Sequence, residues 1–167
     1  GVNFTKYAAD GVTPASRYTL SETDTAFTSG NAAANNLLTL VKAGITLSTD
    51  STFAGLSNTS LSLANAQLLL TKGGSTIFAS DSSNAVLLTA ADLTGSQFTN
   101  VTLPGLLAIG AQHVDIVKPI SSLINQTQVD AIVAALSPQT TFSSNTVLQL
   151  SSTAAVDAAL ADNLNFG

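Results

Sequence analysis

Apolar residues fall along this chain in two rhythms. Between residues 31 and 43 (NAAANNLLTLVKA), Ala34, Leu37, Leu38 and Val41 recur at the spacing of three and four that lines one side of an α-helix. Ser29 or Asn31 is placed to cap its start, Lys42 sits in its last turn, and Gly44 follows as a C-terminal cap. Residues 45–50 (ITLSTD) then alternate as a half-buried strand does. A similar succession returns at 59–72. TSLSL puts Leu61 and Leu63 on one face of a strand, and ANAQLLLTK runs on as a helix to the stop at Gly73-Gly74.

The rest of the chain is read with the same two templates. Strands are predicted at 17–20 (RYTL), 75–80 (STIFAS), 85–89 (AVLLT), 97–103 (QFTNVTL) and 113–117 (HVDIV), with a helical turn at 90–93. A helix is predicted at 126–136. Asn125 stands as its N-cap, Gln128 completes a capping box, and Ile124 with Val129 forms a hydrophobic staple. Val129, Ile132, Val133 and Leu136 make its apolar stripe, and Pro138 follows the stop. The last unit is a strand at 146–150 (TVLQL), then a helix with Val156, Leu160 and Leu164 on one face.

Three of these strands carry nearly the same words: SNTSLSL from 57, SNAVLLTAADL from 83 and SNTVLQL from 144. Ser-Asn is turn chemistry, L-x-L buries one face, and the Ala-rich run after it is helical by propensity. Leu61, Leu63, Leu148 and Leu150 are therefore expected as the inward face of equivalent strands. The starting points are unevenly spaced, so no fixed-period solenoid is implied. A chain rich in Ser, Thr, Asn and Leu also repeats short words by chance. The expected architecture is mixed α/β: irregular strand–helix units in one compact domain, with about six or seven strands alternating with four or five helices. A β-rich sandwich with peripheral helices is the alternative. Residues 1–28 show little helical period and are read as an extended N-terminal arm carrying one strand, with the single domain at 29–167.

Composition sharpens this picture. Charged residues make up 9% of the chain, against an average of about 25%, and Ser, Thr, Asn and Gln fill the gap. With 45% hydrophobic residues the chain has material for a core, which argues against disorder. Its surface is polar but nearly uncharged, suited to close packing against other chains, glycans or a solid. The net charge is −5, and the basic residues Lys6, Arg17, Lys42, Lys72 and Lys118 lie far apart. No cluster of them can neutralise several phosphates, so neither nucleic acid nor an anionic membrane is an expected partner. Without cysteine there are no disulfides or thiolate metal sites. The apolar stretch GLLAIGA at 105–111 is far too short to span a bilayer, so no membrane insertion is expected. The first residue is Gly, read as the mark of a processed or excised chain.

The texture of TSLSLANAQLLL and TVLQLSSTAAVDAAL resembles the strand–helix repeat regions of large secreted bacterial surface proteins, the adhesins and surface-layer proteins. The resemblance spans roughly 57–93 and 144–164. It rests on composition and rhythm, and the Gly/Asp-rich calcium nonapeptides that often accompany such arrays are missing. It implies an exported, non-enzymatic, structural or adhesive role at a cell surface or outside the cell.

Candidate chemistry is sparse. His113 is the only histidine; nothing ties it to a particular Ser, and no G-x-S-x-G is present. No enzyme is expected, and no cofactor. Oxygen-rich loops around Glu22, Asp24, Asp50 and Asp81 are the candidates for calcium. N-x-S/T sequons occur at Asn3, Asn58, Asn100 and Asn125; only Asn58 sits in a convincing exposed turn, which makes it the glycosylation candidate. Both ends carry Asn-Phe after an aliphatic residue. Val2, Phe4, Tyr7, Tyr18, Leu164 and Phe166 are the residues expected to mediate assembly, with the stretch 1–20 adding as a strand to a neighbouring copy. The expected function is a structural subunit that self-associates into a surface layer or filament. A surface adhesion or carbohydrate-binding module is the alternative.

Overall fold

The computed structural model describes residues 17–73, 77–79, 83–89, 91–111 and 113–116. It also describes Thr127, Asp130, Ala131, Ala134, Thr141, Phe142, Thr153, Ala154 and Asp157. Helices and strands alternate in a mixed α/β fold whose strand pairs are all parallel. β1 (Arg17–Leu20) pairs with β2 (Thr46–Thr49) across α1 (Gly30–Lys42). A second sheet holds β3 (Ser60–Ser62), β4 (Ala85–Leu88), β5 (His113–Ile116) and β6 (Thr141–Phe142) in chain order. Parallel neighbours need a crossover, and helices supply it. α2 (Leu63–Gly73) joins β3 to β4, while α3 (Gly95–Gln97) and α4 (Leu103–Ile109) lie between β4 and β5.

The partners keep a narrow spacing along the chain. Arg17 lies against Thr46, Ser60 against Ala85, Ala85 against His113 and His113 against Thr141. Two single bridges, Ser29 to Ser57 and Leu56 to Phe78, extend the stacking between the strands. The repeated words do not set this register. Matching Ser57-Asn58 to Ser83-Asn84 would put Thr59 opposite Ala85, whereas the sheet puts Ser60 there. Burial decides it. In the observed register Leu61, Val86 and Val114 form one inward row, all three buried, and a slip of one residue would turn Leu61 outward.

One apolar cluster gathers these elements. α1 contributes Ala33, Ala34, Leu37, Leu38, Leu40 and Val41, α2 contributes Leu63, Ala66 and Leu69, and the strands contribute Leu20, Leu47, Leu61, Leu88 and Ile116. Leu20 and Phe27 belong to the same cluster, so residues 17–28 pack with the body of the chain. Leu63 is buried as expected, but as the first residue of α2 and not as a strand residue.

The end of α1 follows its sequence signal. Gly44 takes φ +87°, its N–H bonds Val41 O, and the N–H of Ile45 bonds Leu40 O, each at 3.0 Å. These are the paired bonds of a Schellman ending, which needs a left-handed residue where Gly has no Cβ to clash. The start differs from expectation. Ser29 occupies the N-cap position without a side-chain capping bond, and the Oδ1 of Asn31 accepts the N–H of Ser60 at 2.7 Å. Both residues face a neighbouring segment: the N–H of Gly30 is taken by Ser57 O at 2.8 Å.

The strand expected at 97–103 is helical. α3 runs through a π-turn, Phe98–Thr102, into α4. Val101 and Leu103 alternate and the β-branched Thr99, Val101 and Thr102 favour a strand, but Phe98 and Thr102 are buried four apart, and Leu106 and Ile109 continue that side. The π-turn has a local cause in Pro104. Proline lacks an N–H and its ring collides with the carbonyl four residues back; the N–H of Leu103 reaches five residues back to Phe98 O, which widens the turn there. Only part of 75–80 is described: Ile77 is fully buried and Phe78 makes a single bridge. β6 was not expected, since two residues carry no period. Thr127, Asp130, Ala131 and Ala134 are helical. Thr127, Asp130 and Ala134 are exposed, which is the side opposite the predicted stripe. Asn125, Leu148 and Leu150 lie outside the described residues.

Candidate functional site

The loops at 21–24 and 50–52 hold three of the four acidic calcium candidates. The N–H of Glu22 donates to Thr52 Oγ1 at 3.2 Å, which joins the two loops. Asp24 closes the turn after β1: its Oδ2 accepts the N–H of Ser21 at 3.0 Å, and Tyr18 donates its hydroxyl to Oδ1 at 3.5 Å. Asp50 does the same after β2, accepting the N–H of Thr52 at 2.9 Å and its hydroxyl at 2.6 Å. The Thr52 hydroxyl first, and then the Thr52 N–H, hold the Asp50 carboxyl below its ordinary range, because a bonded carboxylate is favoured over the acid. These carboxylates serve as turn anchors. Among the described residues no three His, Cys, Asp or Glu side chains converge as metal ligands. Asp81 lies outside them.

Tyr18 is committed within its own chain. Its ring meets Phe27 edge-on at a centroid distance of 5.3 Å. Burial, and then the charge of Asp24, raise the pKa of its hydroxyl. Val2, Phe4, Tyr7, Leu164 and Phe166 lie outside the described residues. His113 is half-buried on β5, in register between Ala85 and Thr141.

Asn84, part of a Ser-Asn turn in the sequence, is a hub of hydrogen bonds among the described residues. Asn84 is 6% exposed. Its Oδ1 accepts from both the N–H and the hydroxyl of Thr59 at 3.2 and 3.1 Å, and its Nδ2 donates to Leu56 O at 2.8 Å and Ala79 O at 3.2 Å. It ties three segments together just before β4. A shallow recess open to solvent lies beside it, lined by Phe78, Ala79, Asn84, Val86, Ile109 and Ala111 among others. Its one polar side chain is thus fully engaged by the protein.

The described surface carries two large exposed apolar residues, Val101 and Leu107, on the π-turn and α4. The sequence reading placed them in a strand and a connection; their spacing about the helix becomes visible only once that segment is known to be helical. Asn58 lies where expected, exposed at a turn, with φ +52°. No helix among the described residues is long and apolar enough to cross a membrane. A scan against protein-family models finds no match, and searches of curated proteins and of solved structures find none either.

Proposed function

We propose that this chain is an exported, non-enzymatic structural subunit, acting at a cell surface or outside the cell, that self-associates into a layer or filament. The observation that carries the reading is the order of the second sheet. β3, β4, β5 and β6 stack in chain order, all parallel, with partners at 60, 85, 113 and 141. In such a stack each layer rests on its neighbours alone, as in repeat proteins. A stack built this way grows by adding another layer of the same kind, and a second copy can supply that layer by strand addition. Charged residues, at 9%, offer few of the guards that edge strands use against pairing. A contact between unlike ends that does not close into a ring makes a fibre.

Residues 17–20 pair with β2 inside the chain, so in this reading a strand given to a neighbour comes from residues 1–16. Negative-stain micrographs and light scattering over a concentration series test the proposal. Polymers are expected from the full chain, not from a chain starting at Arg17, and a calcium chelator is expected to leave them intact. A chain that stays monomeric at high concentration and binds a glycan panel overturns the reading in favour of the adhesion module.

A further inference from the structure

The corner that leads into β3 carries an exposed asparagine. Asn58 is exposed and holds φ +52°, the left-handed conformation that Asn tolerates best among residues with a side chain. The corner is pinned by the backbone, since the N–H of Asn58 donates to Ser83 Oγ at 3.2 Å. Its side-chain amide is bonded to nothing among the described residues. Other asparagines contrast with it: Asn31, Asn36 and Asn84 each spend their amides on Ser60, on Ala26 and on the Thr59 hub. The sequence Asn58-Thr59-Ser60 supplies the hydroxyl two residues on that N-glycosylation requires. Thr59 between them is fully buried and anchored to Asn84, which holds the turn from the inside. The second described sequon differs. Asn100 lies in the π-turn, and its Thr102 is fully buried with the hydroxyl donated to Asp92 O. The folded chain therefore withholds the hydroxyl of that sequon.

We propose that Asn58 is a glycosylation site, taking a sugar activated as a pyrophosphate at its anomeric carbon. Nδ2 of Asn58 forms a bond to that carbon and gives up one proton; the bond from carbon to pyrophosphate oxygen breaks, and the pyrophosphate leaves with the electron pair. A polyprenyl pyrophosphate and a nucleoside diphosphate are two sources of the same chemistry. The proposal rests on the exported reading only where the polyprenyl donor is the source. A glycan here stands at the corner beside Ser83, clear of the buried inward row.

The test is peptide mapping by mass spectrometry of the full chain purified from its native source, with Asn58→Gln, Ser60→Ala and Asn100→Gln expressed in the same cells. The expected result is hexose or N-acetylhexosamine on the peptide carrying Asn58. It is lost in Asn58→Gln and Ser60→Ala and kept in Asn100→Gln. A preassembled oligosaccharide found only on exported chain identifies the polyprenyl donor. A single hexose already present on cytoplasmic chain identifies the nucleotide sugar. An unmodified Asn58 in the native chain, or sugar on Asn100 alone, overturns the proposal. Micrographs of the same variants read assembly separately, so failure of either reading is seen without the other.

Discussion

The two sheets among the described residues solve burial differently. In the first, β1 and β2 are covered on one side. Arg17, Thr19 and Thr46 face solvent, Leu20 and Leu47 face the core, and the hydroxyls of Thr19 and Ser48 meet at 3.2 Å on the outside. In the second, Ala85, Val86 and Leu88 of β4 are buried, and so are Val114, Asp115 and Ile116 of β5, on both faces. A one-sided rung leaves its polar residues to water. A two-sided rung gives the polar groups it buries little access to water, and an unmet one costs about 1–3 kcal/mol. Asn84 and Thr59 avoid that cost: both are buried, and they bond each other.

That contrast is broken most directly at the hub. Asn84→Leu leaves the N–H of Thr59 and the carbonyls of Leu56 and Ala79 without the amide they bond. It is expected to cost about 4 kcal/mol in urea unfolding, the sum of several unmet buried groups. A loss below about 1 kcal/mol would mean water replaces the amide and the central rung is wetter than described. Next comes packing. Leu88→Ala, in the two-sided sheet and fully buried, is expected to cost about 3–4 kcal/mol. Thr19→Ala on the outside of β1 should change stability by less than about 0.5 kcal/mol. Equal losses at the two positions would erase the distinction between the sheets.

Gly55 probes how closely the layers approach. At Gly55, with φ +97°, a Cβ would lie 2.3 Å from the backbone N of Ala79. The neighbour is backbone and has no rotamer to swing away. Gly55→Ala is expected to cost at least about 2 kcal/mol, through the strained conformation and the clash together. A neutral result would show that the segments at 55 and 79 are free to separate.

The smallest effect concerns pH and lies in the one-sided region. The Asp50 carboxyl is held below its ordinary value by Thr52. A folded pKa below the unfolded one contributes stability above the unfolded value, and that contribution is lost as pH falls through the folded one. An NMR titration of Asp50 should therefore move up toward the ordinary carboxylate range in Thr52→Val. The acid-side loss of stability that Asp50 contributes should shrink with it. No shift of the Asp50 titration in this variant would assign the depression to another cause.

The helix of 30–42 was legible because Leu37, Leu38 and Val41 form a stripe and Gly44 ends it. The strands at 17–20 and 46–49 were legible from alternation, and those at 85–88 and 113–116 from short, mainly apolar segments. The helix at 95–109 was not. Val101 and Leu103 alternate, the β-branched Thr99 and Thr102 lie beside them, and Pro104 reads as a break. Packing overrode that preference, since Phe98, Thr102, Leu106 and Ile109 find one buried side only when wound as a helix. For the candidate site, sequence reached the exposed turn at Asn58. It left Asn84 as turn chemistry, because the role of an amide is set by which segments surround it.

Sequence by itself determined where α1, β1, β2, β4 and β5 form and which of their faces are apolar, since both follow there from neighbours a few residues apart. The polar, uncharged surface was equally local in origin. Only the tertiary structure decided how the strands meet. The repeated Ser-Asn words pointed to one alignment, and the buried row Leu61, Val86 and Val114 imposed another, one residue away. A slip of one residue would turn Leu61 of β3, whose other face is polar, out of that row, so the register is set by the strands it packs with and by no single phrase.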